Sequence, residues 1–170
     1  MSMTVAILMG SDSDLDIMQE AAGALEKFGI SYEMKVLSAH RSPADLIRYV
    51  ENTEKKGVKV YIAGAGGAAH LAGVIAAHTT RPVIGVPIPT AMMGGLDSLL
   101  ATVQMPSGIP VATVAASKGG AANAGILAAQ ILALSDTKLQ KKMAQHKTDL
   151  AKSVQAKNEK LAAKLKSKKA

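Results

Sequence analysis

The sequence predicts an α/β fold: one doubly wound domain around a five-stranded parallel sheet, continued by a long C-terminal helix. Three observations carry this. Short apolar runs with β-branched residues alternate with segments of helical spacing between Val5 and Leu134, as parallel βαβ units require. The joins between them are brief and rich in Gly, Ser, Asp and Pro. Beyond Thr137 the alternation gives way to one uninterrupted helical pattern.

The elements follow in order. Val5–Met9 is a short apolar strand. Asp14–Phe28 has helical spacing through Leu15, Met18, Ala22 and Leu25, and Gly29 stops it. Tyr32–Leu37 is the second strand. Ser42-Pro43 opens a second helix with Leu46, Tyr49 and Val50 on one face, ended by Gly57; proline suits a first helical position, where no N–H is needed. Val58–Ala63 is the third strand, and a helix from Ala68 to about Ala77 follows the glycines. Pro82–Val86 is the fourth strand, Leu96–Val103 a helix, Ile109–Ala115 the fifth strand, and Ala121–Leu134 an Ala-rich buried helix. Gln104–Pro110 is too rich in Pro and Gly for helix and reads as a fixed loop placed to cover a site. No internal repeat is visible. Five such strands suggest the flavodoxin-like order 2-1-3-4-5, which gathers the loops after strands one, two and three at the carboxyl edge of the sheet.

Residues 137–170 form the second part of the chain, and residues 1–136 the first. In the tail Leu139, Met143, His146, Leu150, Val154, Lys157, Leu161 and Leu165 recur every three or four residues. An amphipathic stripe of this kind needs a partner surface, in its own domain or in a neighbouring subunit. Its last few residues are expected to fray.

Bulk properties limit the function classes. At 170 residues the chain is long enough for one domain with a real core. No apolar run approaches the roughly 20 residues a membrane span needs. Met1-Ser2-Met3-Thr4 carries no basic stretch and no cleavage site, so no signal peptide is expected. The absence of cysteine excludes disulfides, thiolate metal sites and a Cys nucleophile, and is compatible with the cytoplasm. The net charge of +7 is unevenly placed: residues 137–170 hold eleven lysines against two acids, whereas residues 1–136 hold nine basic and eleven acidic side chains. The globular part is slightly acidic, and aromatics make up only 2% of the chain with none in the tail. A nucleic-acid reader would show a basic face on the fold, often with aromatics for stacking, so none is expected as partner.

Three loops carry chemistry. Ser38-Ala39-His40-Arg41 follows the second strand and sets an imidazole beside a guanidinium. Histidine gives and takes protons near neutrality, and arginine grips phosphate or carboxylate; the alternative is a polar turn. Gly10-Ser11-Asp12-Ser13-Asp14 offers hydroxyls and backbone N–H groups at a helix N-terminus, where an anion such as a sugar phosphate is favoured and an Asp can accept ribose hydroxyls. Nearby acids would repel a phosphate unless they point elsewhere or are offset by Arg41. Plain N-capping is the alternative there and would need only one of these side chains. Ala63-Gly64-Ala65-Gly66-Gly67-Ala68-Ala69-His70-Leu71 leaves the backbone bare, which permits close approach of a planar ligand; a tightly packed turn is the alternative. His70 is a second candidate polar group for the pocket. His78 reads as surface or structural and His146 as an interface residue. No set of side chains has metal-ligand spacing.

These three loops, with Met105-Pro106-Ser107-Gly108-Ile109-Pro110-Val111 and Ala121-Ala122-Asn123-Ala124, resemble class I N-carboxyaminoimidazole ribonucleotide mutases of purine biosynthesis. Each motif alone is weak; their order and spacing, from Val5 to Leu134, make the combination specific. The resemblance implies a flavodoxin-like subunit of a homo-octamer that interconverts N-carboxyaminoimidazole ribonucleotide and carboxyaminoimidazole ribonucleotide without metal, ATP or organic cofactor. It implies substrate contacts from Ser11, Asp14 and Arg41, catalysis by His40, and further site lining from Ser13, Ser38, Gly66 and His70. It also implies that the C-terminal helix is an assembly element. One position departs from the family's pattern: Ala72 stands where proline is common, which bears on how the His70 turn is held. The competing readings are a class II carboxylase that uses free CO₂ and aminoimidazole ribonucleotide, a non-catalytic nucleotide- or phosphate-binding module on the same fold, and a basic helix that docks an acidic partner.

Overall fold

The computed structural model describes residues 3–167. The readings of Met1 and Ser2 and of the last three residues lie outside the described part. The chain forms two compact units, Met1–Ile131 and Leu132–Ala170.

The first unit is built on the strands β1 (Val5–Met9), β2 (Tyr32–Val36), β3 (Val60–Gly66), β4 (Val83–Ile88) and β5 (Ala112–Thr113). They pair in parallel in the order β2-β1-β3-β4-β5, the flavodoxin-like arrangement. The helices α1 (Leu15–Phe28), α2 (Pro43–Lys55), α3 (Leu71–Ala77), α4 (Leu96–Val103) and α5 (Lys118–Ala133) connect or follow them. Parallel strands cannot be joined by tight turns, so each crossover takes a helix across a face of the sheet.

β1 lies inside the sheet, between β2 and β3. All five of its residues are buried, because both faces of a parallel sheet are covered. Its side chains alternate by the pleat: Ala6 and Leu8 join Leu46 and Val50 of α2 and Leu71, Ala72 and Ile75 of α3 in one apolar cluster. Facing the other way, β3 brings Gly64 so near Met18 of α1 that a Cβ there would overlap the Met18 thioether. A buried hydroxyl network ties α2 to β3: the Tyr61 hydroxyl donates to the Val50 carbonyl at 3.0 Å and lies 2.9 Å from the Thr53 hydroxyl.

Strand ends differ from the sequence reading. β3 starts two residues later and runs three further, so Ala65 and Gly66 pair with Pro87 and Ile88. Pro87 lies inside β4 although proline donates nothing to a ladder. β5 pairs only with Ile84 and Gly85, so β4 has no strand neighbour on that side at Pro87. β5 itself is two residues, shorter than the expected Ile109–Ala115. α3 begins at Leu71 rather than Ala68, because Gly67 (φ +64°) and Ala69 (φ +38°) adopt left-handed backbone that no α-helix contains.

The second unit is dominated by α6 (Thr137–Ser167), a helix of 31 residues. Asp136 starts it by accepting the N–H groups of Lys138 and Leu139 at 2.9 and 3.0 Å. Leu139 is buried, whereas Leu150, Val154, Leu161 and Leu165 are each about half exposed (49%, 56%, 55% and 54%).

Candidate active site

β1 and β3 are neighbours, and the chain leaves them for opposite sides of the sheet. The loops that follow them therefore diverge and open a crevice. A cleft of about 330 Å³ lies there, lined by residues from the loops after β1, β2 and β3.

The first loop supplies Ser11 and Asp14. The Ser11 N–H donates to Asp14 Oδ2 at 3.2 Å, and the Ser11 hydroxyl accepts from the Ser13 N–H at 3.4 Å. This reciprocal capping box holds a single 3₁₀ turn, Asp12–Asp14, ahead of α1. N-capping thus engages two of the loop's side chains rather than one. The Ser13 hydroxyl donates to Asp14 Oδ1 at 3.4 Å, so Ser13 braces the carboxylate without lining the cleft. Asp14 is 8% exposed. Burial holds its carboxyl above the ordinary value of 3.8; bonds from Ser11 and Ser13 and the Arg41 charge oppose the rise, and Asp12 adds to it. The nearby acids are separately engaged: Asp12 accepts the Ser11 hydroxyl at 3.2 Å, and Asp16 pairs with Lys118 at 2.9 Å.

The second loop is fixed by two serines. The Ser38 hydroxyl accepts the N–H groups of His40 (3.3 Å) and Arg41 (3.1 Å), and the Ser42 hydroxyl accepts the Ser38 N–H at 3.1 Å. Hydroxyl-to-backbone bonds of this kind replace the ladder where the strand ends. Arg41 then reaches across the crevice, and its Nη2 donates to the Gly10 carbonyl at 2.7 Å. The guanidinium is thereby held beside the first loop.

The third loop brings His70. Gly66 leaves the wall bare: a Cβ there would come within 3.3 Å of the Ile88 carbonyl oxygen and of Thr90 Cγ2. Gly67 and Ala69 turn the chain, and His70 sits at the N-cap of α3 without a capping bond from its ring. That ring faces His40 instead. His40 Nε2 and His70 Nδ1 are 2.7 Å apart, with the rings edge to face at 80° and centroids 4.8 Å apart. One nitrogen must carry the hydrogen and the other a lone pair, so the contact accepts at most one imidazolium.

Seven of the eight expected residues line one cleft: Ser11, Asp14, Ser38, His40, Arg41, Gly66 and His70. Ala72 lies in the first turn of α3, buried, directly behind Leu71. His78 ends α3 away from the cleft, and residues 104–110 do not line it; Met105 lies against Gly73 of α3 instead. Gly10, Ala39, Ala65, Ala69 and Leu71 of the three expected loops also line the cleft, and Ser98, which the sequence does not mark, lies behind it. Among the described residues no group of three or more His, Asp or Glu side chains is placed to hold a metal ion.

Fold and cleft define a doubly wound α/β protein with a cleft at the switch point of its sheet, lined by a guanidinium, a buried carboxylate and two facing imidazoles. The AIR carboxylase family model matches residues 4–153, and the chain belongs to that family. It is similar to the N5-carboxyaminoimidazole ribonucleotide mutase of Mycobacterium leprae (strain TN), 53% identical over 154 residues that cover 91% of this chain and 89% of the relative. The enzyme of that name from Thermotoga maritima is 51% identical over 157 residues, 92% of this chain and 91% of the relative. Among solved structures, that of Treponema denticola PurE superposes with a TM-score of 0.85 at 30% identity, covering 93% of this chain and 98% of that one.

Proposed function

We propose that this protein is a mutase of purine biosynthesis that interconverts N-carboxyaminoimidazole ribonucleotide and carboxyaminoimidazole ribonucleotide, with His40 as its proton carrier. The observation that carries the reading is the pair of imidazoles 2.7 Å apart at a cleft that a guanidinium and a buried carboxylate also line. The names of the relatives, at 51–53% identity over nine-tenths of the chain, point the same way.

The chemistry follows from these groups. Arg41, held beside the first loop, grips the phosphate, Asp14 accepts ribose hydroxyls, and Ser11, Ser13 and Ser38 keep both in register. Protonated His40 gives its proton to the exocyclic nitrogen as the N–C bond breaks, leaving aminoimidazole ribonucleotide and CO₂. CO₂ is small and uncharged, and the wall at Gly66 and Ala65 suits it. The ring carbon then attacks CO₂, and neutral His40 takes the ring proton, which restores aromaticity and its own charge. One group serves as acid and then base, and the trapped CO₂ replaces a second-order encounter with a local one. His70, at 2.7 Å, holds the ring of His40 in place. No metal, nucleotide triphosphate or organic cofactor enters the cycle.

The proposal extends to the whole chain: residues 1–136 form the catalytic domain and residues 137–170 an assembly helix of a cytoplasmic homo-octamer. No described helix is long and apolar enough to cross a membrane. Assaying the purified protein with each substrate separates mutase from carboxylase. Turnover from the carbamate is expected; turnover from aminoimidazole ribonucleotide and CO₂ with none from the carbamate would overturn the reading. Ligand binding without either turnover would favour a non-catalytic module.

A further inference from the structure

We infer that Ser98 is a positioning residue for the cleft: through one buried hydroxyl it holds the left-handed turn that presents His70 to His40. Ser98 lies in α4, has no solvent exposure, and appears in none of the three cleft-lining loops. Its hydroxyl donates to the Ile88 carbonyl at 2.7 Å and accepts the Gly67 N–H at 2.9 Å. It thus joins α4, the carboxyl end of β4 and the turn after β3 at one atom.

The turn needs such a hold. Ala69 has φ +38°, a conformation in which an L side chain crowds its own backbone. Strained backbone of this kind persists only where its surroundings over-determine it. Within the turn, one backbone bond spans the strain, from the Ala69 N–H to the Gly66 carbonyl at 3.2 Å. Ser98 adds the restraint from outside. It is itself anchored, because the Thr102 hydroxyl donates to the Ser98 carbonyl at 2.7 Å. His70 is three residues beyond Gly67, and its Nδ1 is the atom that meets His40. Removing the hydroxyl leaves a partly buried N–H and a buried carbonyl without this partner, and releases the turn three residues before His70.

The role in catalysis rests on the mutase reading, and the test separates the two. Ser98→Ala and Ser98→Cys are compared with wild type, the second because it fills the space the methyl of alanine leaves while its thiol is a weak donor. Competent sites are counted by titration with the ribonucleotide, so that loss of folded protein does not register as loss of rate. The expected result is a fall in kcat per competent site of about tenfold or more, since small misplacements of reacting groups have effects of this size. A ribonucleotide Kd within about threefold of wild type and a displaced pH–rate profile are expected with it, because the anion clamp belongs to other loops. Wild-type kcat per site with an unchanged profile would overturn the inference. If wild type itself fails to isomerise the carbamate, the mutase reading falls. The geometric part is then judged by amide exchange at Gly67 and NMR titration of the His40 and His70 rings. Faster exchange with moved titrations supports it, and unchanged values overturn it.

Discussion

Asp14 shows how one residue's burial becomes a measurable pH effect. Burial, the largest influence on it, raises its carboxyl pKa above the ordinary 3.8 that an unfolded chain would show. As pH rises, the unfolded state therefore releases its proton first, and the folded state must ionise against desolvation. The stability linked to this group is fully present below the unfolded value and is lost as pH climbs through the raised folded one. Asp14→Asn keeps an oxygen for the Ser11 N–H and has no charge to desolvate. Its melting temperature is expected to exceed that of wild type at neutral pH, and the gap to close in acid. Thermal melts across that range decide it; a variant less stable than wild type at neutral pH would contradict the burial argument. The same variant should bind the ribonucleotide more weakly, because a carboxylate accepting ribose hydroxyls is lost.

At the scale of elements, the unit depends on helices that approach very closely. Gly125 of α5 faces α1: a Cβ there would stand 2.5 Å from the Ala21 carbonyl oxygen and 2.7 Å from Ala24 Cβ. Backbone cannot swing aside as a side chain can. Gly125→Ala is therefore expected to lower stability by about 1–3 kcal/mol, as overpacking does, despite the better helix propensity of alanine. Urea denaturation measures this, and a variant as stable as wild type would refute the close packing. How much of this level was legible from the residues follows from the type of signal. Periodicity located α1 and α2, because each buries one apolar face, and the alternation of strand and helix implied the order of the five strands. The ends of β3 and β4 were missed, since Pro87 argues against a strand until β5 proves too short to pair with it. The late start of α3 was missed because no residue type announces a left-handed alanine at position 69. Within the cleft, His40, Arg41 and Asp14 stood out by chemistry. Ser98, in contrast, is a single buried serine whose partner, Gly67, lies 31 residues away in the chain.

At the scale of the whole molecule, the two units pose different problems. The first buries both faces of its central strands and leaves Leu96, Leu100 and Val103 along α4 about half exposed (46%, 42% and 51%). The second leaves Leu150, Val154, Leu161 and Leu165 about half exposed along α6. Four apolar side chains on one helix, eleven lysines in the same tail and a proposed octamer lead to one expectation. Deleting the chain after Thr137 should give a smaller assembly with impaired activity, measured by sedimentation and by turnover. An unchanged octamer would remove the helix from the interface and favour its use as a docking arm. Across all three scales the sheet edge, its three loops and their braces converge on one ring, that of His40. Whether that ring moves the proton in both half-reactions is tested most directly by His40→Asn, assayed for isomerisation of the carbamate and for ribonucleotide binding on the same preparation. The expected result is a loss of turnover of roughly 10²–10⁴-fold or more, the range for a positioned acid–base group, with binding retained. Substantial isomerisation by the variant would mean that another group carries the proton.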